Sequence, residues 1–160
     1  MKTAVVYYSR HHSNTKKLLE AIAAKHQITL IDAVQHPDFD LAPYDLIGFA
    51  SGIYYSKFHK SVLRFAENNL PVGKDVFFLY TYGAKKDGYT RAIQAAAEKK
   101  SAHIVGSFGC FGFNTCGPFK LIGGMAKGHP NQAELAGAVR FYENLLQKND
   151  PDKAAPAQGE

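Results

Sequence analysis

Short apolar runs alternate with amphipathic segments along this chain. Residues 3–8 form a continuous run of β-branched and aromatic side chains, which is typical of a strand buried on both faces. The next segment places Leu18, Leu19 and Ile22 at helical spacing. Extended along the chain, this pattern predicts strands at residues 3–8, 28–31, 45–51, 76–80 and 104–108, and helices at about residues 14–25, 60–68, 89–99 and 131–147.

Five buried strands interleaved with helices predict an α/β fold with a parallel sheet covered on both faces. Residues 32–44 contain two prolines and are too polar and too short for a confident helix prediction. Residues 114–130 are predicted to form a long glycine-rich loop, and loops of that length are often functional. We expect one domain over residues 1–148. Residues 149–160 are predicted to be a disordered tail, because they offer nothing to bury.

The size and the cysteine content narrow the class of protein. A chain of 160 residues is long enough for one substantial core. No apolar run approaches the roughly 20 residues that cross a bilayer, and the N-terminus does not resemble a secretion signal. The two cysteines, Cys110 and Cys116, do not form a CxxC motif or a disulfide framework. We therefore expect a cytoplasmic protein that does not insert into membranes.

The formal net charge is +5, which favours anionic partners. The lysines and arginines are spread along the whole chain, whereas a nucleic-acid-binding module would cluster them with aromatic residues. We therefore expect no nucleic-acid partner.

The strongest local signal is the polar turn between the first strand and the first helix. It comprises Ser9, Arg10, His11, His12, Ser13, Asn14 and Thr15. Hydroxyl and amide donors beside the positive end of a helix can hold a phosphate without a cation. The alternative interpretation is an ordinary N-cap formed by Ser13 or Asn14. The turn lacks the G-x-x-x-x-G-K-[ST] and G-x-G-x-x-G motifs, which argues against a nucleotide triphosphatase and a dinucleotide-binding fold. Adjacent histidines rarely converge on one ion, so we predict no metal site.

This turn resembles the phosphate loop of flavodoxins, which is rich in Ser and Thr and ends in Gly-Asn-Thr. Here the ending is Ser13-Asn14-Thr15, so serine replaces the family glycine. A serine retains the backbone N–H, but it tolerates a positive φ less easily than glycine does. The resemblance spans about residues 2–147. It implies a flavodoxin-like, doubly wound sheet of five parallel strands in the order 2-1-3-4-5.

The resemblance also implies a site for FMN. In that strand order, strands 1 and 3 flank the topological switch point, where open α/β sheets bind ligands. Flavodoxins hold the isoalloxazine ring with the loops that follow the third and fourth strands. Here these loops contain Ser51, Gly52, Ile53, Tyr54 and Tyr55, and then Thr81, Tyr82 and Gly83. Tyr54 or Tyr55 would stack on one face of the ring, Tyr82 would lie near the other, and the two glycines would leave room for the ring edge.

The function implied is electron transfer through FMN, with redox partner proteins or small anionic donors and acceptors. In that case no residue acts as a catalytic acid or base. Two alternatives remain open. One is an FMN-dependent oxidoreductase of the NAD(P)H:quinone or protoporphyrinogen type, and the other is a flavin-free binding or regulatory module.

Basic side chains follow the strand ends on the expected flavin side. They are Lys57, His59, Lys60, Arg64, Lys85, Lys86, Lys120 and Lys127. Our hypothesis is that they raise the flavin potential above that of an acidic flavodoxin. The alternative is that they only solvate the helix starts.

Overall fold

A computed structural model describes residues 1–10, 12–115 and 117–150, apart from the side chains of residues 117–119. In chain order the elements are β1 (Thr3–Tyr8), α1 (Asn14–Ala23), β2 (Thr29–Asp32), β3 (Leu46–Tyr54), β4 (Lys57–Phe58), α2 (Lys60–Asn69), β5 (Asp75–Tyr82), α3 (Arg91–Glu98), β6 (His103–Phe111), a 3-10 helix (Gly117–Ile122) and α4 (Gln132–Lys148).

The sheet has the order β2-β1-β3-β5-β6, and all four pairings along this path are parallel. This arrangement confirms the predicted doubly wound sheet, whose five strands correspond to the order 2-1-3-4-5. A sixth strand, β4, was not predicted. It pairs antiparallel with the end of β3 and contains only two residues. A segment that short carries no hydrophobic period of its own, which is why the sequence pattern does not reveal it.

Each face of the sheet carries its own apolar core. Along β1, Ala4 and Val6 belong to one core and Val5 to the other, as the alternation of side chains along a strand requires. The first core includes Val62 of α2 and Ile93 of α3. The second core includes residues of α1 and α4. The continuous apolar runs of the sequence are therefore explained by burial on both faces.

The predicted glycine-rich loop has more structure than its sequence suggests. It contains the 3-10 helix, and Asn114 forms an antiparallel bridge with Met125. The two backbone hydrogen bonds of this bridge measure 2.8 and 2.7 Å, and the Phe113 N–H donates to the carbonyl of His129 at 2.9 Å. The chain between β6 and α4 therefore folds back on itself, with residues 113–114 hydrogen-bonded to residues 125 and 129. We call residues 112–115 and 117–130 the strap.

The remaining connections agree with the sequence analysis where the structure describes them. Residues 33–45 contain turns and no helix, as expected. Among the residues described, no helix combines the length and the apolar character that crossing a bilayer requires. Residues 151–160, most of the predicted tail, lie outside the described part of the chain. His11 and Cys116 also lie outside it.

Candidate functional site

The register of the sheet brings the loops after β1, β3 and β5 side by side. Tyr8 at the end of β1 is opposite Ser51 of β3, and Gly52 of β3 is opposite Thr81 of β5. The chain proceeds from β1 to one side of the sheet and from β3 to the other, so the switch point lies between these two strands. A crevice for a ligand is expected at the carboxyl ends of strands that separate in this way.

The first loop, residues 9–13, is organised by Ser9. The Ser9 hydroxyl oxygen accepts a hydrogen bond from the backbone N–H of Lys16 at 3.1 Å, and this amide belongs to the first turn of α1. Ser13 occupies the N-cap position, but its side chain makes no capping bond among the described residues. The alternative of an ordinary N-cap at Ser13 therefore holds for the position of this residue but not for its side chain, since the more distant Ser9 accepts the hydrogen bond.

Two residues of this loop have a left-handed backbone. His12 has a φ of 52° and Ser13 a φ of 53°, and both side chains are exposed. Such conformations are unfavourable for residues other than glycine and cluster at functional sites. Arg10 lies beside them, with its guanidinium carbon 5.8 Å from the centre of the Tyr8 ring.

Four of the predicted site residues are buried and tie the loops together. The hydroxyl oxygens of Thr15 and Thr81 are 3.0 Å apart, with exposures of 1% and 4%. The Ser51 hydroxyl accepts the backbone N–H of His59 at 2.9 Å and donates to the carbonyl of Gly52 at 2.6 Å. These side chains shape the crevice, and in this structure they bond to protein groups.

Asn14 is the fourth buried residue, and only one of the two polar atoms of its side-chain amide has a hydrogen-bond partner among the described residues. Its Nδ2 donates to the carbonyl of Phe113 at 2.7 Å. Its Oδ1 is buried and has no hydrogen-bond partner in the part of the chain that the structure describes. Buried polar atoms are normally paired, so this oxygen is an acceptor available for a ligand hydroxyl.

The second loop is a tight hairpin that presents a tyrosine to solvent. Tyr55 and Ser56 have φ values of 51° and 64° and connect β3 to β4, and a two-residue type I′ turn requires a positive φ at both positions. Tyr55 is 98% exposed. Tyr54 packs instead against Tyr8 and His59, with ring centres 5.6 and 5.1 Å away. Of the two tyrosines predicted to stack, Tyr55 is the more exposed and Tyr54 is half-buried.

His59 joins the second loop to α2. Its ring stacks on Tyr8 with centroids 3.6 Å apart and planes 5° from parallel. Its Nδ1 accepts the backbone N–H of Ser61 at 3.2 Å and so caps α2. Burial lowers the pKa of His59, and the positive charges of Lys60 and Arg10 lower it further. His59 is therefore neutral at pH 7, with its proton on Nε2. This corrects its inclusion among the cations of the flavin side.

Two more of those basic residues face a cavity that His59 also borders. Lys60 and Arg64 line a cavity of about 400 Å³ together with Val34 and Asp38, between the chain after β2 and the start of α2.

The third loop begins in a cluster of aromatic rings. The Tyr82 ring lies 5.9 Å from the rings of Tyr80 and Tyr89 and 5.0 Å from that of Phe111. Burial raises the pKa of all three tyrosine hydroxyls, so they remain protonated at neutral pH. Tyr82 is therefore a partly exposed member of this aromatic cluster.

The strap forms a fourth wall that the sequence analysis did not assign to the site. His12 Nε2 lies 3.0 Å from the hydroxyl of Thr115, and the rings of His12 and Phe113 are 4.3 Å apart. A Cβ added to Gly83 would lie 3.0 Å from the Asn114 amide. The pair Asn114-Thr115 follows a strand end just as the polar turns of β1, β3 and β5 do. Extending the strand-end argument to β6 would have found these residues.

With the geometry established, the chain can be compared with known proteins. The family model described as a flavodoxin domain matches residues 5–115. The chain belongs to the flavodoxin family. An uncharacterised protein of Methanocaldococcus jannaschii is 37% identical over 150 residues, which cover 91% of this chain and 99% of that protein.

Solved structures show the same fold at low sequence identity. Oxidised flavodoxin 2 of Bacillus cereus aligns with a TM-score of 0.64 and 15% identity, covering 92% of this flavodoxin-family chain and 99% of that one. General stress protein 14 of Treponema denticola, solved in complex with FMN, aligns with a TM-score of 0.58 and 13% identity, covering 91% and 96%.

Proposed function

We propose that this protein binds one FMN without a covalent bond and transfers electrons through it in the cytoplasm. The observation that carries the proposal is the alignment of three loops at the switch point, the first of which opens onto the start of α1. Membership of the flavodoxin family supports the choice of FMN, as does the FMN bound by the Treponema denticola protein of similar fold.

The residues present fit the three chemical parts of FMN. The phosphate accepts hydrogen bonds, and the Ser9 and Ser13 hydroxyls and the first backbone N–H groups of α1 are donors beside the positive end of the helix dipole. The ribityl chain carries hydroxyl donors, and the buried Oδ1 of Asn14 is an acceptor that needs one. The isoalloxazine ring is flat and largely apolar, and the exposed ring of Tyr55 suits its face.

Each predicted residue then has a role. Residues that bind or border the phosphate are Ser9, Arg10, His11, His12 and Ser13. Residues that border the ring are Gly52, Ile53, Tyr55, Tyr82 and Gly83, with Tyr54 behind them. Thr15, Ser51 and Thr81 hold the loops in place, and Asn14 does so through Nδ2 while its Oδ1 accepts from the ribityl chain. When bound, FMN supplies the redox chemistry, while the protein positions it and shields it from water.

The test is a fluorescence titration of the flavin-free protein with FMN and, separately, with riboflavin. We expect FMN fluorescence to be quenched with a 1:1 endpoint. Riboflavin lacks the phosphate, and hydrogen bonds to a charged group contribute about 1.5–3 kcal/mol each, so riboflavin should bind at least about tenfold more weakly. If neither flavin binds, the hypothesis of a flavin-free regulatory module replaces this one.

Two substitutions at Tyr55 test the ring assignment. Tyr55→Ala should weaken FMN binding about three- to tenfold, because an aromatic stack contributes roughly 0.5–1.5 kcal/mol beyond the buried area. Tyr55→Phe keeps the ring and serves as the matched control. Equal affinities of the two variants would show that Tyr55 does not stack on the flavin.

Turnover of a nicotinamide cofactor distinguishes an electron carrier from the alternative, an FMN-dependent oxidoreductase. The FMN-loaded protein is mixed with NADPH or NADH and a quinone, with no added reductase. A carrier depends on a partner for its electrons, so we expect no sustained oxidation of the nicotinamide. Rapid turnover would establish the oxidoreductase function instead.

A further inference from the structure

The strap ends in a pair of apolar side chains that face water. Among the described residues, Leu121 is 89% exposed and Ile122 is 73% exposed, at the end of the 3-10 helix. Adjacent large apolar side chains at such exposure are uncommon on a soluble surface and mark sites of interaction. We call Lys120, Leu121 and Ile122 the strap tip.

The lysines of the strap have no acidic side chain beside them in the sequence of the strap. The sequence from Gly112 to Ala133 contains Lys120 and Lys127 and no Asp or Glu. Lys85 and Lys86 lie on the loop after β5, which begins beside the strap where Gly83 approaches Asn114, and Asp87 is the acidic residue of that loop. An apolar centre flanked by cations is complementary to an apolar patch flanked by carboxylates.

The strap is anchored to the proposed flavin site. One side of the strap is bonded to the first loop through the pair His12–Thr115 and to the first residue of α1 through the pair Asn14–Phe113. The base of the strap is fixed to α4, because His129 Nδ1 lies 2.9 Å from the Glu134 carboxylate. The strap that carries the tip is therefore anchored at its base beside the phosphate turn.

We propose that the strap tip is the docking site for an acidic redox protein that presents an apolar patch rimmed by Asp and Glu. This inference rests on the proposed function. The strap tip projects into solvent, whereas a site for a small molecule would be concave. One electron passes in each encounter, from the bound flavin to the oxidised centre of the partner or in the reverse direction. The flavin is oxidised by one electron as the partner is reduced, or the converse.

Electron transfer to two haem proteins of opposite charge tests the proposal. The FMN-loaded protein is reduced with dithionite and mixed by stopped flow with oxidised cytochrome b5, which is acidic, or oxidised cytochrome c, which is basic. With cytochrome b5 we expect a rate constant that falls about tenfold or more as salt rises from about 20 to 500 mM. With cytochrome c we expect a slower reaction that salt does not inhibit.

A matched pair of surface variants locates the docking site. Leu121→Ser combined with Ile122→Ser should lower the rate with cytochrome b5 about fivefold at low salt. Val72→Ser is the control. Val72 is 75% exposed in the loop between α2 and β5, which lies at the amino ends of the strands and not at their carboxyl ends. Equal rates for the two variants would overturn the proposal.

The failure of docking and the failure of flavin binding give different results. If FMN binds but cytochrome b5 shows no dependence on salt or on Leu121 and Ile122, docking is wrong and the flavin site stands. If FMN does not bind, docking is measured instead as retention of the flavin-free protein on immobilised cytochrome b5. The strap-tip variant should then be retained less than the Val72→Ser control, and equal retention would overturn the proposal. Binding to phosphatidylserine vesicles that needs the strap tip, without an effect on cytochrome b5, would assign this surface to membranes and overturn the proposal.

Discussion

Ser13 has a strained backbone conformation in the proposed phosphate turn. Its φ of 53° and ψ of 30° are left-handed, and the preceding residue is left-handed as well. A residue with a Cβ in this conformation costs roughly 1–2 kcal/mol. Flavodoxins resembling this chain carry glycine at the corresponding position, which removes the strain while keeping the N–H.

Substitution of Ser13 by glycine tests this interpretation. We expect Ser13→Gly to raise the free energy of unfolding by about 0.5–1 kcal/mol, because relief of strain exceeds the entropy that glycine adds to the unfolded chain. Ser13→Ala removes the same hydroxyl but keeps the Cβ, so it should give no gain. Urea denaturation of the three proteins measures the difference. If alanine and glycine have the same effect, the backbone is not strained at this position.

Residue type alone was a limited guide to the role of each polar side chain. Thr15 and Thr81 were predicted as site residues because they follow strand ends, and the structure pairs their hydroxyls in the interior. Hydroxyls that face a ligand and hydroxyls that face a neighbouring loop have the same local sequence. The difference depends on residues 66 positions apart in the chain, which only the folded sheet brings into contact.

At the scale of elements, the N-caps of α4 and α2 differ in whether the local sequence predicts them. The start of α4 has a capping box formed by Asn131 and Glu134, a pattern visible in the sequence. His59 caps α2 with an imidazole nitrogen, and histidine is not among the preferred cap residues. The stack of His59 on Tyr8 orients the ring for this bond, and that stack exists only after β1 and β3 pair.

The cap on α2 should depend on pH. Folding lowers the pKa of His59 below its ordinary value of 6.5, so the unfolded chain binds more protons than the folded one at mildly acidic pH. The stabilisation from neutral His59 is therefore present above about pH 6.5 and is lost as the pH falls through the folded-state pKa. Denaturation at several pH values between 7 and 5 measures the loss.

The control for this prediction is His59→Asn, which retains a capping side chain but does not titrate in this range. The variant should lose less stability than the parent on acidification. A proton NMR titration should also place the His59 pKa of the parent below 6.5. Identical pH profiles for the two proteins would exclude His59 as the group responsible.

At the scale of the whole molecule, exposed lysines lie at the carboxyl ends of the strands, where the proposed flavin site is. Lys57 is in β4 beside the Tyr55 turn, and Lys85 follows β5; both are exposed. A cation about 7 Å from the flavin contributes roughly 2 kcal/mol at an effective dielectric constant of about 20. For the addition of one electron, that free energy is on the order of 100 mV before screening.

We therefore expect Lys57→Gln and Lys85→Gln each to lower the potential for the second electron of bound FMN by roughly 10–50 mV, since solvent and salt screen exposed charges. Lys25→Gln is the control. Lys25 is exposed just beyond the carboxyl end of α1, at the amino ends of the strands and away from the proposed flavin site. Potentiometry at two ionic strengths measures the shifts. Equal shifts in all three variants, or none, would mean that these lysines only solvate the protein surface.

The sequence by itself determined the strand and helix pattern, because burial on both faces of a parallel sheet requires continuous apolar runs and covering helices require a 3.6-residue period. It also indicated the three loops, since polar turns follow the ends of these strands. The tertiary structure alone decided which tyrosine of the pair 54 and 55 is the more exposed, that burial lowers the pKa of His59, and that the strap is bonded to the first loop. These properties depend on strand register and on burial by residues distant in the chain, and a local pattern does not encode such contacts.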